Sequence, residues 1–176
     1  MVQDIIGRSV ELGLLQEYIA SDKSEFVAVY GRRRVGKTFL IRKAVKDQFS
    51  FFVTGVYKAT KSEQLTNFAI ALQKYSKKES LSIQKNWILA FYELSRYLET
   101  LPEGKKVIFI DNPFGAAKDV YIWEPIFKLL KSNNVQLIVP ARGATPAITG
   151  HFEVNYILGQ KLIDGRQQTV VVDYRS

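Results

Sequence analysis

The sequence predicts an α/β fold in three layers: a mostly parallel β-sheet with helices on both faces and a C-terminal β-hairpin. Three observations predict it. Short apolar runs alternate with longer stretches of helical period, the pattern of right-handed β-α-β crossovers and a covered parallel sheet. One such run, Phe26 to Tyr30, leads into G-R-R-R-V-G-K-T at 31–38 and then into a second helical pattern. Near the end, two strand-like runs flank Asp164-Gly165, most simply a hairpin.

The elements follow in order. Ser9 is placed to cap a first helix, with Val10, Leu12, Leu15 and Ile19 spaced for one apolar face. Ser21 to Ser24 is a polar turn, and Phe26 to Tyr30 is the first strand. A helix then runs from about Lys37 to Gln48. Ser50 to Val56, S-F-F-V-T-G-V, is short, aromatic and β-branched, and reads as a second strand. A helix from Ser62 carries Leu65, Phe68, Ala69 and Leu72 on one face. Another, from about Gln84 to Thr100, carries Trp87, Phe91, Leu94 and Leu98, a stripe read as core rather than as a ligand platform. Lys106 to Asp111 is a buried strand, broken by Asn112-Pro113. Ile122 to Leu130 is helical, with Trp123, Ile126, Phe127 and Leu130 apolar, and Asn133-Asn134 ends it. Val135 to Val139 is a further buried strand, and 141–150 is loop or short helix. Val154 to Leu162 and Thr169 to Tyr174 form the hairpin.

At 176 residues, 47% of them apolar, the chain is read as a single domain over 1–176 with a real core. It has no apolar run long enough to span a bilayer and no signal-like N-terminus. The absence of cysteine excludes disulfides and thiolate metal sites, and a single His argues against a His-rich metal site. A cytoplasmic location is expected on that basis. The net charge of +8 is spread, with 17 Lys+Arg against 11 Asp+Glu in residues 1–105. That balance permits binding to polyanions, but no nucleic-acid motif accompanies it. A basic nucleic-acid-binding module is therefore kept as an alternative function.

The stretch 31–38 carries the chemistry. It matches G-x-x-x-x-G-K-[ST], the P-loop, between the strand and the helix that motif requires. Such a loop wraps phosphate with backbone N–H groups, so its turns need Gly31 and Gly36. The helix after it points free N–H groups and partial positive charge at the same phosphates. Lys37 adds a full charge near the β- and γ-phosphates, and the Thr38 hydroxyl is a ligand for Mg²⁺. The candidate nucleotide contacts are Gly31, Arg32, Arg33, Arg34, Val35, Gly36, Lys37, Thr38 and Phe39, and the expected ligand is ATP or another nucleoside triphosphate with Mg²⁺.

Asp111, at the end of K-V-I-F-I-D, is the candidate second Mg²⁺ ligand. Many P-loop hydrolases place Glu next, to deprotonate the attacking water; here the residue is Asn112. An amide can hydrogen-bond a water but not take its proton at neutral pH. Nucleotide binding with slow or absent hydrolysis is expected. Asp119 and Glu124 are the nearest other acids, and Arg142, after the strand 135–139, is a candidate γ-phosphate sensor. Thr145 and His151 are weaker candidates. Gly31, Asp111 and Ala141 all fall at carboxyl ends of strands, so their loops should converge.

Residues 5–44, with F-F-V-T-G-V-Y-K-A-T-K-S-E-Q-L, W-I-L-A-F-Y-E-L-S-R-Y-L and K-K-V-I-F-I-D, resemble the archaeal-type ATPase family of the AAA+/STAND group over about residues 1–111. That resemblance implies a P-loop NTPase fold, with Ile5, Ile6 and Gly7 near adenine. From D-N-P-F-G onward, through T-V-V-V-D-Y, the chain is similar instead to the end of SMC-like ABC-type ATPases, without their signature loop. A chimera of the two, over 1–111 and 112–176 with a join near 105–111, is the expectation. It leaves a designed or recombined scaffold without biological activity as another alternative.

Overall fold

The computed structural model describes residues 8–31, 36–111, 123–131, 133–141, 154–163 and 166–174. In chain order the elements are α1 (Ser9–Ala20), β1 (Phe26–Gly31), α2 (Lys37–Ala44), β2 (Phe51–Thr54), α3 (Lys61–Ser76), α4 (Trp87–Glu99), β3 (Lys106–Asp111), α5 (Trp123–Lys131), β4 (Val135–Ala141), β5 (Val154–Ile163) and β6 (Arg166–Tyr174).

The strands form one six-stranded sheet in the order β2-β3-β4-β1-β5-β6. All neighbours are parallel except the last pair, the antiparallel β5–β6 hairpin. The hairpin therefore joins the main sheet, because β5 pairs in parallel with β1 from Val27↔Val154 to Gly31↔Leu158. Its strands run closer to the turn than the sequence suggests, with Ile163 opposite Arg166.

Alternation along the strands makes the three layers. Phe26, Ala28, Phe51, Val53, Ile108, Ile110, Leu137 and Val139 enter the core that α3, α4 and α5 cover. Val27, Val29, Val107, Phe109 and Ile138 enter the opposite core, under α1 and α2. Successive side chains on a strand point to opposite faces, so strands buried on both sides read as continuous apolar runs. The stripe Trp87, Phe91, Leu94 and Leu98 is fully core, as read from its spacing. So are Leu65, Phe68, Ala69 and Leu72 on α3.

Local chemistry fixes the ends. Thr60 caps α3: its hydroxyl accepts from Glu63 N–H, and Glu63 accepts in return from Thr60 N–H at 2.7 Å, a reciprocal capping box. Those hydrogen bonds, to backbone first and to the hydroxyl second, hold the Glu63 carboxyl below its ordinary pKa of 4.5. Acid that protonates Glu63 removes its half of the box, since a depressed carboxylate pKa stabilises only above that range. Thr60→Ala is expected to cost about 0.5–2 kcal/mol in urea unfolding without changing the slope.

Several sequence expectations are corrected. Arg8, not Ser9, occupies the N-cap of α1, and no side chain caps it. Val10 is 70% exposed, and the inward face is instead Glu11 and Leu15, with Leu12, Leu14, Tyr18 and Ile19 against it. The helix after the P-loop stops at Ala44, because Lys46 and Asp47 both take positive φ. β2 is only four residues, and α4 starts at Trp87, where the Asn86 side chain accepts from Leu89 N–H. β4 runs two residues further than expected, to Ala141. Pro140 fits there because β3 pairs with β4 only as far as Phe109↔Ile138, so the N–H that proline lacks lies past that ladder.

Candidate functional site

The site is built at the carboxyl ends of the parallel strands. β1 ends at Gly31, β3 at Asp111 and β4 at Ala141, and registers Tyr30↔Ala141 and Thr54↔Asp111 tie these ends to their neighbours. Strand direction thus brings the three strand ends to one rim of the sheet, while the loops that follow them, which were expected to converge, lie outside the described residues. β4 lies between β1 and β3. Neighbouring strands stand about 4.8 Å apart, so the ends of β1 and β3 are separated by roughly two such spacings.

Gly36 is the N-cap of α2, with φ 76° and ψ 22°. An L-residue pays roughly 1 kcal/mol or more to adopt that left-handed conformation, which explains glycine at this position. Lys37 and Thr38 are the first two residues of α2 and are half-buried; Phe39 is 47% exposed, while Leu40 and Ile41 are buried beneath β1 and its neighbours. The apolar side of this short helix therefore faces the sheet and its opening residues face the strand ends. A helix start after such a turn is an end at which phosphates are commonly held.

Asp111 is half-buried, and its carbonyl accepts from Gly55 N–H at 2.6 Å, fixing the end of β2 against the end of β3. Buried Gln64 on α3 holds the next stretch from both sides, donating to Val56 O at 2.6 Å and accepting from Val56 N–H at 3.0 Å. Asn67 donates to Thr54 O at 2.9 Å. The rim on the Asp111 side is thus fastened by amide side chains of α3.

The oxygen donors Thr38 and Asp111 suit Mg²⁺, a hard cation that keeps several waters and needs few protein ligands. Among the described residues no three His, Cys, Asp or Glu side chains gather into a metal cluster.

One residue near the loop was not singled out from sequence. The Arg8 guanidinium reaches to 3.7 Å from where a Cβ on Gly36 would stand. The signal was its place directly after Ile5-Ile6-Gly7. Of the predicted site residues, Gly31, Gly36, Lys37, Thr38, Phe39 and Asp111 are described. Ile5, Ile6, Gly7, Arg32, Arg33, Arg34, Val35, Asn112 and Arg142 lie outside the described residues, as do Asp119, Thr145 and His151.

Comparison with known proteins agrees with this geometry. Residues 5–138 match the model of an ATPase domain family described as predominantly from Archaea. That match continues past 105–111, where the sequence suggested a join. An uncharacterized protein of Methanocaldococcus jannaschii is 31% identical over 107 residues, covering 61% of this chain and 21% of that protein. The chain thus spans about a fifth of that relative. Among solved structures, a KaiC-like protein of Pyrococcus horikoshii superposes with TM-score 0.57 at 13% identity, over 87% of this chain and 79% of its own. The flagellar accessory protein FlaH of M. jannaschii superposes with TM-score 0.54 at 11% identity, over 97% and 86%. At those identities the two structures speak for the fold alone.

Proposed function

The chain belongs to the family of ATPase domains found predominantly in Archaea, and on that premise we propose that it binds ATP with Mg²⁺ at the P-loop and turns it over slowly or not at all. The observation that carries the reading is the strand–loop–helix at 26–44: Gly36 is left-handed, and Lys37 and Thr38 open α2 at the carboxyl end of β1. Loop amides and the start of α2 bind the phosphates, and Lys37 neutralises their charge. Thr38 and Asp111 hold the Mg²⁺, which when bound offsets charge on the phosphate oxygens. Ile5 to Gly7 lie beside the base, with Arg8 bringing a second cation toward the loop. Arg142 senses the γ-phosphate.

Slow turnover rests on Asn112. The residue after Asp111 is an amide, which orients a water without accepting its proton. General-base help contributes roughly 10²–10⁴-fold. Asn112→Glu is accordingly expected to raise Mg²⁺-dependent phosphate release by a factor in that range. An unchanged rate, or brisk turnover by the wild type, would place the base elsewhere. Binding itself is tested by thermal unfolding with Mg-ATP, where ligand at 100 times its Kd adds about 2.7 kcal/mol of stability.

In this reading 1–176 is one nucleotide-binding domain. A composite origin, with an SMC-like, ABC-type part over 112–176, is supported by the D-N-P-F-G run and the closing strands. Against it stands the archaeal family match through residue 138. No helix among the described residues is long and apolar enough to cross a membrane.

A further inference from the structure

Asp111 has a polar neighbour on its own face of the sheet. Along β3, Val107 and Phe109 enter the core under α1 and α2, while Ile108 and Ile110 enter the opposite one. Alternation therefore sets Asp111, two residues past Phe109, on the α2 face. β2 follows the same rule. Phe51 and Val53 enter the core under α3, α4 and α5, and Phe52 packs against the core under α2. Thr54, two residues past Phe52, thus also stands on the α2 face.

The register makes these two residues direct neighbours. β2 and β3 pair in parallel as Phe52↔Phe109 and Thr54↔Asp111. The lower pair displays the contact that this ladder enforces: the Phe52 and Phe109 rings stack with centroids 4.7 Å apart and planes 8° from parallel. The pair above it sets a hydroxyl-bearing residue beside a carboxylate, at the spacing of adjacent strands, about 4.8 Å. Thr54 is exposed and Asp111 half-buried. Their backbones are fastened: Gly55 N–H donates to Asp111 O at 2.6 Å, and Asn67 donates to Thr54 O at 2.9 Å. Threonine is stiff at χ1, so a fixed backbone also limits where its hydroxyl can lie. α2, whose second residue is Thr38, packs on this same face through Leu40 and Ile41.

A hydroxyl both donates and accepts hydrogen bonds, so it can hold a water beside a carboxylate. Mg²⁺ keeps several of its waters and takes few protein ligands, and groups just outside those ligands orient them. Resting on the reading that Mg-ATP binds at this rim, we propose that Thr54 is a positioning residue for the metal: its hydroxyl hydrogen-bonds a water that lies between Asp111 and Mg²⁺. The edge strand β2 then contributes to the site, although no motif in its sequence announces it.

Calorimetric titration of ATP into the 176-residue chain, once with Mg²⁺ and once with a chelator, tests this with Thr54→Val and Thr54→Ser. Valine suits a strand and removes the hydroxyl; serine keeps it. Thr54→Val should bind metal-free ATP as the wild type does. The factor by which Mg²⁺ tightens its binding should fall about tenfold, or to one where the wild-type factor is smaller. Thr54→Ser should keep the wild-type factor. Thr54→Ala carries the same expectation as Thr54→Val and replaces it if circular dichroism shows the valine variant unfolded. An unchanged factor in the variant without the hydroxyl, beside a wild type that Mg²⁺ does tighten, overturns the role of Thr54 and leaves the Mg-ATP reading standing. Equal weakening with and without Mg²⁺, or a serine variant that behaves like valine, does the same. A wild type that binds ATP equally with and without Mg²⁺, or binds none, overturns the Mg-ATP reading and this inference with it.

Discussion

Phe68→Ala is expected to remove about 3–5 kcal/mol of stability, the cost typical of emptying a buried aromatic site. Phe68 is 1% exposed and joins three elements. Its ring centroid lies 5.1 Å from Phe51 on β2, 5.1 Å from Phe91 on α4 and 5.7 Å from Trp87, the last edge-on. No small shift of α3 can close a hole bordered by a strand and a second helix at once. Against a domain stability of roughly 5–15 kcal/mol, the loss is severe. In a thermal scan it corresponds to roughly 6–20 °C for a chain of this size. The control is Ile70→Ala, two residues along the same helix and 52% exposed, which should change stability by no more than about 0.5 kcal/mol. Equal effects would mean that α3 is not docked through Phe68.

Lys37→Ala is the second large effect, and it falls on binding rather than on folding. Lys37 opens α2 and is half-buried, and alanine suits a helix, so the fold should hold. Hydrogen bonds to charged groups contribute about 1.5–3 kcal/mol, which corresponds to roughly 10–150-fold in Kd for Mg-ATP. Nucleotide-dependent thermal stabilisation should shrink with it, while the melting temperature of the free protein stays near that of the wild type. A variant that binds as well as the wild type would remove Lys37 from the site.

The α/β layering was legible because it is written twice. The strands 26–30 and 107–110 are uninterrupted apolar runs, 135–139 is apolar but for the buried Gln136, and the helices between them carry stripes such as Trp87, Phe91, Leu94 and Leu98. Burial on both faces of the sheet requires both patterns. The P-loop was legible because Gly36 must adopt positive φ beside Lys37 and Thr38, and few residues tolerate that turn.

Other features depended on contacts distant in sequence. Whether the C-terminal hairpin joins the sheet depends on β1 pairing with β5, more than a hundred residues on, and no local pattern announces that. α1 misled because Ser9 looks like a cap and Val10 looks like core. In the folded chain Arg8 holds the cap position, and Glu11 turns inward where an apolar residue was expected. The end of α2 was missed because Lys46 and Asp47 take left-handed conformations with no glycine to signal them. The change of resemblance near 105–111 arose on a strand ending in Asp, a feature common to P-loop proteins of several kinds. The family match carries on through that strand to residue 138.

Residues 31–38 and Asp111 are proposed to form a working Mg-ATP site. Calorimetric titration of ATP into the 176-residue chain, with and without Mg²⁺, tests it most directly. Saturable one-to-one binding to the wild type is expected, tighter with Mg²⁺, with a loss of roughly 10–150-fold for Lys37→Ala. Absence of saturable heat from the wild type, or equal binding by both proteins, would contradict it.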